Sequence, residues 1–283
     1  MIVHIKEILK KKVKCAIGAF NTYNLESTLG ILRAAKIKKT PVIIQISEAT
    51  IKYAGLKTIL AIIETAVEKE AKDIPIAVHL DHGKSFEIVS ECIKEGLSSV
   101  HMDGSALPFK DNVSVTKKAV VFGHKHGAWV QGELGALPGK EGMTKVEVPK
   151  DGLYLTDPKE AEQFVKLTGV DTLAVSVGTM HGNFKGKEKV DLERVRQIGK
   201  RVKKPLVLHG ASGITDLKLK QAIKAGISII NIDTDLRIAF TKTLKKTLHK
   251  ELSFYDPRKI LSPSALSLQK AVEKKISVFN SKK

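Results

Sequence analysis

The chain has 283 residues, 42% of them apolar, so it can bury a sizeable core. No apolar run approaches the roughly 18 residues that cross a bilayer, and Glu64 interrupts even Leu60 to Val67, so no membrane partner is expected. Its 48 basic and 30 acidic residues give a net charge of +18, but aromatics are only 5%; single-strand nucleic-acid binders interleave basic tracks with aromatics, so the charge reads as a lysine-rich surface that gathers an anionic substrate, not as a nucleic-acid site.

Met1 to Leu9 reads as a short amphipathic helix, without the basic leader, apolar core and cleavage site of a signal peptide, and a cytoplasmic location is expected. Eight short β-branched runs follow: Val13 to Phe20, Pro41 to Ile46, Ile74 to Leu80, Ser98 to Met102, Ala128 to Glu133, Asp171 to Val177, Pro205 to Leu208 and Ile227 to Ile232. Between them, apolar residues recur at helical spacing over Leu25 to Lys38, Leu56 to Lys72, Phe86 to Lys94, Val113 to His126, Pro158 to Leu167, Leu192 to Val202 and Leu217 to Ala225. Proline opens the next strand at Pro41, Pro75 and Pro205. This alternation predicts a single α/β domain over 1–283, a (β/α)8 TIM barrel; an open doubly wound sheet is the alternative. A helical extension of about residues 240–283, broken at Asp256-Pro257-Arg258, is expected to cover the barrel or mediate assembly. Leu134 to Thr156 is too long and too rich in Gly, Pro and Lys for an ordinary connection, and reads as a lid or a disordered loop. Cys15, in a predicted strand, and Cys92, in a predicted helix, form no metal motif and suit a reducing compartment.

Three histidines end predicted strands, in Asp81-His82-Gly83, Met180-His181-Gly182 and Leu208-His209-Gly210. Loops after barrel strands build active sites, and three imidazoles with one open position make a recurrent catalytic zinc site. His79 is set apart from His82 by the two-residue strand period and is expected to pack inside the barrel with its nitrogens satisfied locally. Asp81 is either an orienting partner of the ligand or a general acid/base. Asp103 and Glu133 end the fourth and fifth strands on the same side; each completes a second metal position, hydrogen-bonds a ligand histidine or caps the following turn. The small residues of His209-Gly210-Ala211-Ser212-Gly213 and the run Asn231-Ile232-Asp233-Thr234 place backbone N–H groups where this architecture binds phosphate.

With these blocks in order, the chain resembles the class II, metal-dependent fructose-bisphosphate aldolases, the group that also contains the tagatose-bisphosphate aldolases. The resemblance runs nearly end to end, through Gly18-Ala19-Phe20-Asn21, His79-Leu80-Asp81-His82-Gly83, Gly132-Glu133-Leu134-Gly135, Leu155-Thr156-Asp157-Pro158, Gly178-Thr179-Met180-His181-Gly182, the His209 loop, Asn231-Ile232-Asp233-Thr234-Asp235 and Tyr255-Asp256-Pro257-Arg258. It implies a lyase of glycolysis and gluconeogenesis that cleaves fructose 1,6-bisphosphate into triose phosphates, with zinc on His82, His181 and His209. It implies that Asp81 moves a proton where the carbon–carbon bond breaks, and that Asp103 and Glu133 hold a second or displaced metal; the cofactor set is zinc with room for a further divalent or monovalent cation. Dihydroxyacetone phosphate would be bound by Gly182, Lys185, Gly210, Ser212, Asn231, Asp233 and Thr234, with Asn24 and Ser47 as further polar contacts. Arg258 matches a basic residue that reaches the distal phosphate from a neighbouring subunit, which implies a homodimer or homotetramer. In many relatives the lid carries a glycine pair followed by acidic residues, whereas here it reads Leu137-Pro138-Gly139-Lys140-Glu141-Gly142. Glu141 aligns with the lid glutamate credited with proton transfer.

Tagatose-specific relatives tend to read Asn-Val-Ala-Thr where this chain has Asn231-Ile232-Asp233-Thr234, so Asp233 favours fructose over tagatose. A zinc hydrolase on the same barrel is a competing reading. Its usual His-x-His spacing occurs here at His124-Lys125-His126, at a predicted helix end.

Overall fold

The computed structural model describes residues 1–10, 15–135, 154–180, 182, 190–250, 253 and 255–280. Its strands β1 (Ile17–Asn21), β2 (Val42–Ser47), β3 (Ile76–Gly83), β4 (Ser99–Met102), β5 (Trp129–Leu134), β6 (Thr172–Val175), β7 (Leu206–Leu208) and β8 (Ile227–Ile232) form a closed parallel barrel in sequence order. The helices are α1 (Ile5–Leu9), α2 (Leu25–Ile37), α3 (Glu48–Ala54), α4 (Leu56–Glu70), α5 (Phe86–Lys94), α6 (Phe109–Lys125), α7 (Pro158–Thr168), α8 (Leu192–Val202), α9 (Asp216–Ala225), α10 (Thr234–Lys250) and α11 (Pro257–Phe279). The open sheet is thereby excluded: β1 pairs with both β2 and β8. Among the described residues, no helix is long and apolar enough to cross a membrane.

Two periodicities build the core. Strand residues of one parity, among them Phe20, Ile44, Leu80, Val100, Val130, Leu173, Leu208 and Ile230, pack outward against the helices. Residues of the other parity near the start of each strand, Ile17, Ala19, Ile43, Ala77, Ala174, Val207 and Ile229, fill the lower barrel with Ile5 and Ile8 of α1. Two residues further along, the same inward parity turns polar: Asn21, Gln45, His79, Asp81, His101, Gln131, Glu133 and Asn231, all buried. The barrel is thus apolar at its N-terminal end and chemically equipped at its C-terminal mouth, as this architecture requires.

Several boundaries differ from expectation for local reasons. Helix α3 was not expected; the side chain of Ser47 caps it, accepting from Thr50 N, and Gly55 ends it. Cys15 precedes β1 and does not belong to it. The C-terminal helices start at Thr234, directly after β8, and α11 packs against α2, α9, α10 and β1. The middle of the expected lid, including Glu141, lies outside the described residues, as do His181 and Lys185.

Candidate active site

His82 sits where β3 departs from regular geometry. The β3–β4 register shifts between Leu80 and Gly83, and His82 takes a left-handed backbone (φ 51°). This conformation costs a non-glycine residue about 1–2 kcal/mol, and such strain collects at functional sites. Gly83 lets the strands close behind it, since a Cβ there would lie 2.7 Å from the carbonyl oxygen of His101. At the end of β7, Gly210 (φ 62°) leaves no room for a side chain, because a Cβ would lie 2.4 Å from the Met180 oxygen. The glycines that follow His82 and His209 are therefore steric requirements of the mouth.

The rings of His82 and His209 meet, with Nε2 of the first 2.9 Å from Nδ1 of the second. Asp103 accepts a hydrogen bond from His82 Nδ1 at 2.6 Å and pairs with Lys84. Its other oxygen accepts from the backbone and hydroxyl of Ser105 at 3.1 and 2.6 Å, so orienting the histidine and capping the turn are both realised. Gln131 and Asn231 bring amide nitrogens to 3.0 and 3.2 Å from His209 Nε2. These amides hold the ring of His209 in place, while its Nδ1 faces His82.

Asp81 is fully enclosed and receives three amides: Asn21 at 2.8 Å, Gln45 at 3.1 Å and Asn231 at 3.5 Å. Burial alone would raise its pKa, but nearby His82, the Asn21 hydrogen bond and His101 together hold it below the usual carboxylate value. Burial opposes the charge on His82 too, yet Asp81, Asp103 and Glu133 push its pKa up to about 10. Glu133 is raised to about 8 by burial and by the neighbouring Asp103. His79 is lowered to about 4 by burial; its Nδ1 meets Ser99 Oγ at 2.8 Å, but among the described residues its Nε2 has no hydrogen-bond partner, so only half of the local satisfaction expected for it is found there.

Two overlapping donor groups result: Asp81, His82, His101 and His209, and His82, His101, Asp103 and Glu133, each with ligand atoms within 4.8 Å of one another. His101 Nε2 and Glu133 Oε2 face each other at 3.4 Å, and among the described residues neither has a hydrogen-bond partner. Unsatisfied buried donors and acceptors are costly, and imidazole with carboxylate is a borderline-metal donor set, so these residues fit a divalent transition metal.

The phosphate-side residues also converge. Asn21, Gly182, His209, Gly210, Ala211, Ser212, Asn231, Asp233 and Thr234 line one small cavity. The Asp233 carboxylate is held by the Tyr23 hydroxyl and by Arg237 Nε at 2.8 and 2.9 Å, and the Arg237 guanidinium lies over the Tyr23 ring. Burial nevertheless pushes Asp233 above its ordinary pKa. Asn24 and Ser47 act locally as helix caps, Asn24 in a capping box with Ser27. Arg258 is exposed and clamped to Asp256 at the start of α11; the structure does not bring it to the mouth of its own chain. His124 pairs with Asp171, and His126 bonds the carbonyl of Phe122, so the His-x-His spacing makes no chelating pair.

Reading the sequence missed His101, Gln45, Gln131, Tyr23 and Arg237. His101 stands two residues before Asp103, on the same face of a strand, and following inward parity along β4 would have found it.

A parallel barrel whose C-terminal mouth gathers imidazoles and carboxylates around an ionised, buried aspartate defines a metal-dependent barrel enzyme. A family model described as fructose-bisphosphate aldolase class-II matches residues 3–283. The fructose-bisphosphate aldolase of Geobacillus stearothermophilus is 40% identical over 283 residues, covering 99% of this chain and 97% of that one. The probable fructose-bisphosphate aldolase of Bacillus subtilis strain 168 is 38% identical, with 99% and 98% covered. The crystal structure of the YdjI aldolase from Escherichia coli K12 superposes with a TM-score of 0.83 at 30% identity, covering 99% of this chain and 97% of that one. The chain belongs to the class-II fructose-bisphosphate aldolase family, whose members are metal-dependent lyases.

Proposed function

We propose that the protein reversibly cleaves fructose 1,6-bisphosphate into dihydroxyacetone phosphate and glyceraldehyde 3-phosphate, with zinc held by His82, His181 and His209. The observation that carries this reading is Asp81: a buried carboxylate that accepts from three amides and is held below the usual carboxylate pKa chiefly by His82 and Asn21, beside the His82–His209 pair. Asp81 accepts the C4 hydroxyl proton as the C3–C4 bond breaks. Zinc, when bound, supplies Lewis-acid stabilisation of the negative charge that develops on the ketone side. Gly182, Lys185, Gly210, Ser212 and Thr234 seat the phosphate, and Glu141 returns a proton to the three-carbon fragment. Asn24, Ser47 and Asn231 add polar contacts to the substrate. Asp103 and Glu133, with His82, give the ion a second position.

Asp233 supports fructose over tagatose, because its carboxylate is held rigidly by Tyr23 and Arg237 at the cavity edge, and a fixed hydrogen-bonding group discriminates between epimers. The relatives from G. stearothermophilus and B. subtilis are named for the fructose substrate. We assign Arg258 to a neighbouring subunit's distal phosphate, which makes the protein at least a dimer; the barrel with its C-terminal helices acts as one unit, in the cytoplasm. The test measures cleavage of both epimeric bisphosphates by wild type and His209→Ala, with and without a chelator. Zinc-restored cleavage of the fructose epimer, lost in the variant, is expected. Activity that survives both chelation and the mutation overturns the metal assignment, and faster turnover of the tagatose epimer overturns the substrate.

A further inference from the structure

An ion pair between a buried lysine of α11 and a partly exposed aspartate of α10 backs the loop after β7, and we propose that Lys275 is a positioning residue for the substrate phosphate, acting through Asp235. The proposal rests on the reading of Gly210 and Ser212 as part of the phosphate seat.

The chain of contacts is continuous. Asp235 lies in the first turn of α10, immediately after β8. Its backbone N–H donates to Ser212 Oγ at 3.1 Å, and its carboxylate accepts from Gly213 N at 3.1 and 3.4 Å. Both partners belong to the loop that carries His209 and lines the cavity. Because Ser212 Oγ accepts from this amide, its own hydrogen is directed elsewhere and can donate to a phosphate oxygen. Asp235 Oδ2 in turn meets Lys275 Nζ at 2.7 Å.

Lys275 is only 8% exposed, on the face of α11 that also buries Leu268, Val272, Ile276 and Phe279. Lysine is almost never this buried unless it is paired. For packing alone, an apolar residue of similar volume would serve as well or better, since desolvating an ion pair can cost more than its attraction returns. The charge at Lys275 therefore has a specific use. It fixes one oxygen of Asp235, so the other holds the Gly213 amide, and it balances the negative charge of a carboxylate that stands directly behind the Ser212 loop. Through this pair, α11 becomes a structural part of the phosphate site although it contributes no residue to the cavity lining.

The expected signature is a loss of binding with little loss of chemistry, because phosphate seating is made equally in ground and transition states. Lys275→Met, Lys275→Arg and Asp235→Asn are compared with wild type for KM and kcat on fructose 1,6-bisphosphate, for dihydroxyacetone phosphate affinity by calorimetry, and for bound zinc. Lys275→Met is expected to raise KM and weaken dihydroxyacetone phosphate about tenfold, with kcat within about twofold and bound zinc unchanged. Lys275→Arg is expected to restore most of the affinity. If Lys275→Met does not fold, Asp235→Asn carries the test with the same expected rise in KM. Unchanged KM and affinity in a folded variant overturn the proposal, and so does a defect in kcat alone or one that arginine does not rescue. A wild type that fails to cleave the bisphosphate overturns the functional reading instead, so the two failures are told apart.

Discussion

Replacing Asp103 with asparagine isolates what orients the first histidine. In the wild type, Asp103 Oδ2 accepts from His82 Nδ1 at 2.6 Å, which aims Nε2 at His209. Asparagine keeps an oxygen for the Ser105 contacts, but opposite His82 it presents an N–H donor or leaves that site unpaired. The loss of a charge-assisted bond is worth roughly 1.5–3 kcal/mol, or about 10- to 100-fold in metal affinity. A second effect opposes it. Asp103 helps push the His82 pKa up to about 10, so at pH 7 a metal must displace a proton from the ring, and losing the carboxylate weakens that competition. The net expectation is about tenfold weaker zinc binding at pH 7, growing as pH rises and proton competition fades. Competition with a chromophoric chelator measures it across pH. Unchanged or tighter zinc binding in a folded Asp103→Asn protein would refute the orienting role.

Asp81→Asn keeps the shape of the buried carboxylate but removes the base, so kcat is expected to fall by about 10²–10⁴ with zinc stoichiometry intact; near-normal turnover would show that Asp81 does not move the proton. Gly210→Ala places a Cβ 2.4 Å from the Met180 oxygen at a left-handed position, and a loss of about 1–2 kcal/mol in denaturant unfolding is expected, with a raised KM. A shift below about 0.3 kcal/mol would contradict the crowding argument. Burial lowers His79 to about 4, so it stays neutral in the folded chain while its unfolded form takes up a proton near pH 6.5. Its contribution is complete above pH 6.5 and is lost as pH falls toward 4, about 2 kcal/mol of it by pH 5. Urea unfolding of metal-free wild type and His79→Gln at pH 7.5 and 5 checks this, and equal acid losses in both proteins would count against it.

The barrel was legible because each layer of it leaves a period in the sequence. Eight β-branched runs, the prolines that open strands, the helix expected from Pro158 and the break expected at Asp256-Pro257-Arg258 all survive as strand and helix boundaries. Helix α3 was hidden because its seven residues are too few to show a face. In the site, His82, His209, Asp81, Asp103 and Glu133 stood out at strand ends beside glycines. Tyr23, Gln45, Gln131 and Arg237 did not, because their use depends on partners from distant strands, such as Gln131 meeting His209 across 78 positions of chain. The pairing of buried Lys275 with Asp235 was equally silent, since a lysine in a helix reads as surface until the packing is known.

In the proposed mechanism a single divalent ion at the His82–His209 pair makes the chemistry possible. The most direct measurement strips the protein with a chelator and returns zinc in steps while following fructose 1,6-bisphosphate cleavage. Negligible turnover is expected at the start, with a linear rise to a plateau at about one equivalent per chain and no recovery in His209→Ala. Full turnover in the stripped protein, or equal recovery in the variant, would contradict it.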